Sequence, residues 1–307
     1  MGVSVRIPAT TANLGPGFDT FGMALSLYNT LEADWSGNGQ LRIEVTGDGA
    51  HLVPVNETNT VYKAMQQVFM EAGENELLTE RGLHIRIHNN VPVTRGMGSS
   101  ATAIVGGLWA ANEMLNYPLS EQKLVELAVR LEGHPDNVTP AIFGGVVVSG
   151  VVNEKVYVKR FSAPIGMRCV VAVPDFQLAT RTSRKALPPA LPYADAVHNV
   201  NRASLMVAAL SDGNLQMFCE LMEDRLHEPY RMPLVPGMQK AIQFAREAGA
   251  LAAVLSGSGP SLIAFCQEGA EQIGEALQKG FRSEGITSAI LHLTPAAKGV
   301  AGVTPIS

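Results

Sequence analysis

The stretch that decides how this chain is read is PVTRGMGSSAT, Pro92 to Thr102. Gly96 and Gly98 permit backbone torsions that turn several N–H groups toward one point. The segment opens a helix whose apolar positions Ile104, Leu108, Ala111 and Leu115 form one buried stripe. Ser99 and Ser100 read as caps for that helix. The positive end of the helix and its free N–H donors add to an anion site, for which phosphate is the natural guest. The two serine hydroxyls could meet a phosphate oxygen or a metal. On its own the loop fits equally well a glycine-bearing helix entry that holds no ligand.

Two other nucleotide readings fail on context. GMGSSA matches a relaxed G-x-G-x-x-A fingerprint, which needs a strand running directly into the first glycine and an acidic residue at the end of the next strand. Here Asn89, Asn90 and Pro92 interrupt the approach, and Glu113 and Glu121 lie on helices. No G-x-x-x-x-G-K-[ST] occurs anywhere in the chain.

Outward from the loop, Leu83, Ile85 and Ile87 alternate with polar residues as a half-buried strand, and residues 41–46 do the same. Residues 59–72 carry apolar positions at helical spacing. A further helix is expected over 121–132, capped by Ser120 and ended by Gly133. Residues 146–160 read as a hairpin turning at Asn153 and Glu154. The second half is read as a buried strand CVVAV, helices around 195–211, 213–226 and 236–248, strands near 251–255 and 261–266, and a last helix near 269–283. Strands and helices mix without regular βαβ alternation, so the fold class is α+β. The 307 residues suggest two domains, 1–160 and 161–307.

Composition narrows the function. The net charge of -5 and a pI near 5.8 give no electrostatic reason to coat nucleic acid. Cys169, Cys219 and Cys266 form no Cys-x-x-Cys pair, which argues against a disulfide framework or structural zinc. No apolar run is long enough to span a bilayer, no signal peptide is evident, and a cytoplasmic, non-membrane protein is expected.

Two further glycine loops change the weight of the first. PATTANLGPGFDTFG (8–22) is dense in small polar residues, and SGSGPS (256–261) lies between two apolar strands. Three such loops in separate parts of the chain suggest converging walls of one site. With HPDNVTPAIFGG (134–145) and EDRLHEPYRMPLVPG (223–237), they make the chain resemble the GHMP kinases over nearly its whole length.

That resemblance implies an N-terminal domain like the second domain of ribosomal protein S5, a ferredoxin-like C-terminal domain and a site in the cleft between them. Within the family the motifs are similar to those of the members that pass the γ-phosphoryl of ATP to the hydroxyl of L-homoserine, in threonine synthesis. A mevalonate-pathway type of kinase is the alternative. The resemblance implies that Asn59 and the run Pro92, Val93, Thr94, Arg95, Gly96, Met97, Gly98, Ser99, Ser100, Ala101 and Thr102 meet ATP. It makes Ser100 a Mg²⁺ ligand, with Glu126, eleven residues before Asn137, as the second and Glu132 in reserve. It places Asn13 and Asp19 on the substrate ammonium, Arg184 and Arg231 on the carboxylate, and Gly257, Ser258 and Gly259 beside them. Whether Arg181 or Arg184 meets the carboxylate stays open. His134 and Asn137 would lie near the reacting hydroxyl, with Asp136 facing away. Because an amide cannot take the hydroxyl proton as a carboxylate would, catalysis by positioning and charge stabilisation is expected. A homodimer is also implied.

Overall fold

The computed structural model describes residues 2–306. Strands β1 (Gly2–Ala12), β2 (Phe21–Trp35) and β3 (Leu41–Gly47) are followed by helix α1 (Thr60–Ala72), the short α2 (Glu76–Glu80) and β4 (Leu83–Asn89). Helices α3 (Ser99–Met114), α4 (Glu121–Glu132) and α5 (Pro135–Phe143) lead to the hairpin of β5 (Val146–Val152) and β6 (Lys155–Phe161). The second half runs β7 (Arg168–Pro174), α6 (Thr180–Lys185), α7 (Tyr193–Ser211), α8 (Leu215–Glu220), α9 (Glu228–Arg231), α10 (Met238–Glu247) and β8 (Ala252–Leu255). It ends with β9 (Leu262–Cys266), α11 (Ala270–Arg282), β10 (Ser288–Leu293) and β11 (Ala301–Ile306).

One sheet has the order β11-β1-β2-β4-β3, with β5 added beside the start of β2 and β6 beyond it. Only β3 and β4 run parallel in it; the other pairs are antiparallel. The second sheet, β10-β7-β9-β8, is antiparallel throughout. The α+β expectation therefore holds. The hairpin turns on Asn153 and Glu154 at φ 50° and 64°, the left-handed pair that matches the twist of its strands.

Three apolar clusters organise these layers. Val5, Ile7 and Ile85 of the first sheet pack against Met65, Leu108 and Leu127 of the covering helices. A second cluster joins the halves, bringing Phe21, Met23 and Met97 against Val171, Phe218 and Phe265. In the third, Val170 and Leu262 on the other side of the second sheet meet Met238, Leu277 and Phe281. A cleft opens beside these layers, lined by Ile7, Leu31, Val61 and Ile87 of the first cluster and Leu178 of the third.

The structure departs from expectation in four places. Residues 301–306 do not stay with the second half, because β11 pairs antiparallel with β1. The helix expected over 213–226 shrinks to α8, and beyond it the Asp224 carboxylate accepts the amides of Leu226, His227 and Glu228 and turns the chain. Helix α5 went unread because Pro135 opens it and Pro140 interrupts its apolar pattern. The cap of α3 is Gly98 at φ 71°, with no side-chain cap, so the serines are already inside the helix.

Candidate active site

That last correction shapes the phosphate loop. Thr94, Gly96 and Gly98 all have positive φ (56°, 74° and 71°), which folds the backbone into a concave turn at the start of α3. With no side chain capping them, the first amides of α3 stay open to a ligand. Neither glycine could carry a side chain. A Cβ at Gly98 would lie 1.9 Å from Thr10 Oγ1, and one at Gly96 would lie 2.3 Å from the carbonyl oxygen of Ser256.

The three glycine loops do converge. Ser256 Oγ donates to the Gly96 carbonyl (2.6 Å), the Gly257 amide to the Ala12 carbonyl (3.2 Å), and Asn13 Nδ2 to the Gly257 carbonyl (2.8 Å). The cleft they wall encloses about 1360 Å³, its open mouth included. Its lining includes Asn13, Asp19, Asn59, Val93, Thr94, Arg95, Gly96, Gly98, Ser99, Ser100, Thr102, His134, Asn137, Arg184, Arg231, Gly257 and Ser258.

Two arginines line the same cleft. Arg184, from α6, grips Asp19 bidentately (3.0 and 2.6 Å), and this hydrogen-bonded carboxylate holds its guanidinium above the ordinary arginine range. Arg181 is exposed and does not line the cleft, so Arg184 is the arginine of that pair that faces it. Arg231 is 1% exposed, and its Nη1 donates to the Gly257 carbonyl at 3.1 Å. Its buried Nε has no partner among the described residues. Burial first, then the nearby Arg184 charge, lowers the Arg231 pKa. A buried guanidinium with donors to spare is a receptor for an anion. The Phe18 ring lies 5.5 Å from the Arg184 guanidinium and 5.2 Å from that of Arg231.

The start of α5 supplies the centre of the cleft. Asn137 Oδ1 accepts from Thr10 Oγ1 (2.8 Å) and its Nδ2 donates to Asp136 Oδ1 at 3.4 Å, which leaves one amide N–H for a ligand. Asp136 corrects an expectation: it is buried and lines the cleft beside Asn137. At a helix start, neighbours only 100° apart can front the same opening. His134 Nδ1 bonds Asp136 Oδ1. Burial works to lower the His134 pKa, but the Asp136 bond and charge, with Glu132, outweigh it and hold the ring above its usual range. One polar atom each of Asp19, His134 and Asp136 lies within 4.8 Å of the others.

The metal expectation also needs correcting. Glu126 is turned to Gln122, whose Nε2 donates to it at 2.9 Å, and it does not line the cleft. Six residues further on, Glu132 Oε2 accepts from Ser100 Oγ at 2.7 Å. Six positions along a helix are roughly 9 Å of rise and a rotation past half a turn, so the two glutamates cannot serve one point. Since α4 ends at Gly133, directly before His134, the carboxylate of its last turn meets the loop. Burial raises the Glu132 pKa, opposed by the Ser100 bond and by His134. A hydroxyl and a desolvated carboxylate facing each other form an all-oxygen pair suited to a hard divalent cation.

Some loop residues act from behind. Met97 and Ala101 are fully buried in the cores, and Pro92 and Gly259 do not line the cleft. Asn59 lines it, yet its side chain is spent on structure: Oδ1 accepts from the Val61 and Tyr62 amides and Nδ2 donates to the Pro54 carbonyl. Asn29 and Thr180 also line the cleft, and neither stands in a motif that singles it out. Asn29 Nδ2 donates to Thr102 Oγ1 (2.9 Å) while its Oδ1 accepts from the Asn90 and Val91 amides, tying β2 to the phosphate loop.

Comparison with known proteins identifies the family. Residues 59–145 match the family model described as GHMP kinases N terminal domain, and residues 206–283 match GHMP kinases C terminal. A homoserine kinase of Moorella thermoacetica is 45% identical over 295 residues, covering 96% of this chain and 98% of its own. One from Carboxydothermus hydrogenoformans is 46% identical, covering 97% and 95%. Among solved structures, homoserine kinase from Cytophaga hutchinsonii superimposes with a TM-score of 0.88 at 29% identity, covering 98% of this chain and 96% of that one. A further likeness is limited to fold: L. major mevalonate kinase in complex with R-mevalonate gives a TM-score of 0.70 at 20% identity, covering 96% of each chain. With its open helix N-terminus, converging glycine loops and match to both family models, the chain belongs to the GHMP kinases.

Proposed function

We propose that this chain transfers the γ-phosphoryl of ATP to the hydroxyl of L-homoserine, giving O-phospho-L-homoserine and ADP. The observation that carries the reading is one cleft lined by two arginines, a carboxylate-and-amide cluster and an open helix N-terminus. Homoserine is a zwitterion. Its α-carboxylate suits Arg231 and Arg184, and its ammonium suits Asp19 with Asn13. The Asp19–Arg184 ion pair is then exchanged for two pairs with the substrate, so neither charge is left bare. Mevalonate has a carboxylate but no ammonium and would leave Asp19 without that partner.

The amides at the start of α3 and the hydroxyls of Ser99 and Ser100 hold the phosphates. Ser100 and Glu132 would hold Mg²⁺, which when bound neutralises charge on the phosphate oxygens. Asn137, oriented by Thr10, donates to the reacting hydroxyl and keeps it in line; as the hydroxyl oxygen bonds the γ-phosphorus and the bond to ADP breaks, the hydroxyl proton passes to an oxygen of the transferred phosphoryl group. A second reading rests on Asp136, a carboxylate in the cleft that could serve as base. Asp136→Asn decides between them: loss of roughly 10³-fold or more in kcat favours the base, and retention within about 10-fold favours positioning. Coupled ADP release with Mg²⁺-ATP against L-homoserine, D-homoserine, mevalonate and no acceptor tests the substrate. Turnover on mevalonate alone overturns the proposal. The homodimer and the cytoplasmic location belong to the same proposal, and light scattering checks the first. No helix among the described residues is long and apolar enough to cross a membrane.

A further inference from the structure

Behind Arg231, outside the cleft lining, lies a residue to which no role has been assigned. His227, immediately before α9, is 0% exposed, and its ring is fully engaged. Nε2 lies 3.0 Å from the Gly15 carbonyl oxygen and 3.7 Å from Asp224 Oδ2, both acceptors. Nδ1 lies 3.2 Å from Arg231 Nη1, which can only donate. These partners place the proton on Nε2 and leave Nδ1 as an acceptor. Burial lowers the pKa of the ring, assisted by Arg231 and opposed by Asp224, in keeping with a neutral imidazole. The ring also stacks on Phe18, centroids 5.1 Å apart and planes 26° from parallel, and Phe18 is the ring beside both arginines.

We infer that His227 is a positioning residue for substrate affinity: its Nδ1, together with the Gly257 carbonyl, takes Nη1 of Arg231 and so aims the remaining guanidinium donors at the substrate carboxylate. Its Nε2–H, bonded to Gly15, ties the 13–20 loop to the same unit. A freely turning arginine would lose the two-oxygen geometry that makes guanidinium selective for carboxylate. The inference rests on the reading of Arg231 as the carboxylate partner.

Two substitutions separate the functions of the ring. In His227→Gln the amide nitrogen reaches the position of Nε2 and can serve Gly15, but no acceptor remains for Arg231. In His227→Asn the side-chain oxygen falls near Nδ1 and can serve Arg231. The Gln variant is expected to raise the homoserine KM roughly 10-fold or more, with kcat and the ATP KM within about 2-fold. The Asn variant should recover most of that loss. Added to Arg231→Ala, the Gln change should have less than about a 2-fold further effect, because its target is gone. If Arg231→Ala leaves the homoserine KM unchanged, the carboxylate reading falls and this inference with it. If Arg231→Ala raises KM while His227→Gln does not, or if Gln and Asn raise it equally, the inference alone is overturned. Should the Gln chain not fold, ¹⁵N NMR of the wild-type ring decides the matter: a protonated Nδ1 overturns the inference, and an Nε2–H tautomer with bare Nδ1 supports it.

Discussion

Asn137 shows how much of this site depends on which atom of one side chain faces outward. Thr10 holds its oxygen at 2.8 Å and Asp136 takes one N–H of its amide nitrogen at 3.4 Å, so a single amide N–H remains for a ligand. A donor set before the reaction begins stabilises charge that develops later. Asn137→Ala should therefore lower kcat by roughly 10²-fold while changing the homoserine KM far less. Steady-state kinetics check this, and the reverse pattern would assign the residue to ground-state binding. The glutamates give a second comparison at this scale. Glu132→Gln should raise the Mg²⁺ concentration needed for half-maximal rate by roughly 10–100-fold. Glu126→Gln should leave it where it is, since Glu126 bonds only Gln122 outside the cleft. Equal responses from the two would undo the assignment of Glu132.

At the scale of the element, α9 carries a titration of its own. Glu228 Oε1 accepts the Leu255 amide (2.7 Å) just before the 256–261 loop, and burial, reinforced by the Asp224 charge, pushes its pKa up to about 8. Between the ordinary carboxyl value of 4.5 and about 8, the folded chain holds a proton that the unfolded chain has released. Its contribution to stability is thus complete below that window and is lost as pH rises through it. Melting temperatures from pH 5 to 9 should fall more steeply for the wild type than for Glu228→Gln, which keeps the acceptor without the charge. Parallel curves would show that the group is not titrating there. None of this is legible in the sequence, where Glu228 is one letter in EPYR. Helices α1, α3 and α4 were legible because their apolar stripes keep helical spacing over three turns or more. Helix α5 was not, and the split between α8 and α9 depends on a single carboxylate turning the chain. Residue types at the site were readable from motifs. The choice between Glu126 and Glu132, and the orientation of Asp136, were not, because each depends on helix phase at a chain turn rather than on a count along the sequence.

Across the whole molecule, the substrate end of the cleft takes its groups from both halves: Asn13 and Asp19 precede β2, while Arg184 and Arg231 come from α6 and α9. The halves already touch through Ser256 to Gly96, Arg95 to the Pro174 carbonyl at 3.0 Å, and β11 returning to β1. A ligand held by both sides must stabilise them together. At 100 times its dissociation constant, homoserine should add about 2.7 kcal/mol to the folded state. For a chain of this size that is a rise of roughly 3–8 °C in a single melting transition. In Arg231→Ala the homoserine shift should largely vanish at the same concentration, whereas the shift given by a non-hydrolysable ATP analogue with Mg²⁺ should persist, because Arg231 bonds His227 and Gly257 and no residue of the 92–102 loop. Differential scanning fluorimetry measures all three. Loss of both shifts would mean that the arginine supports the fold of the entire cleft, and two separate transitions would mean that the halves melt independently and that the coupling proposed between them is absent.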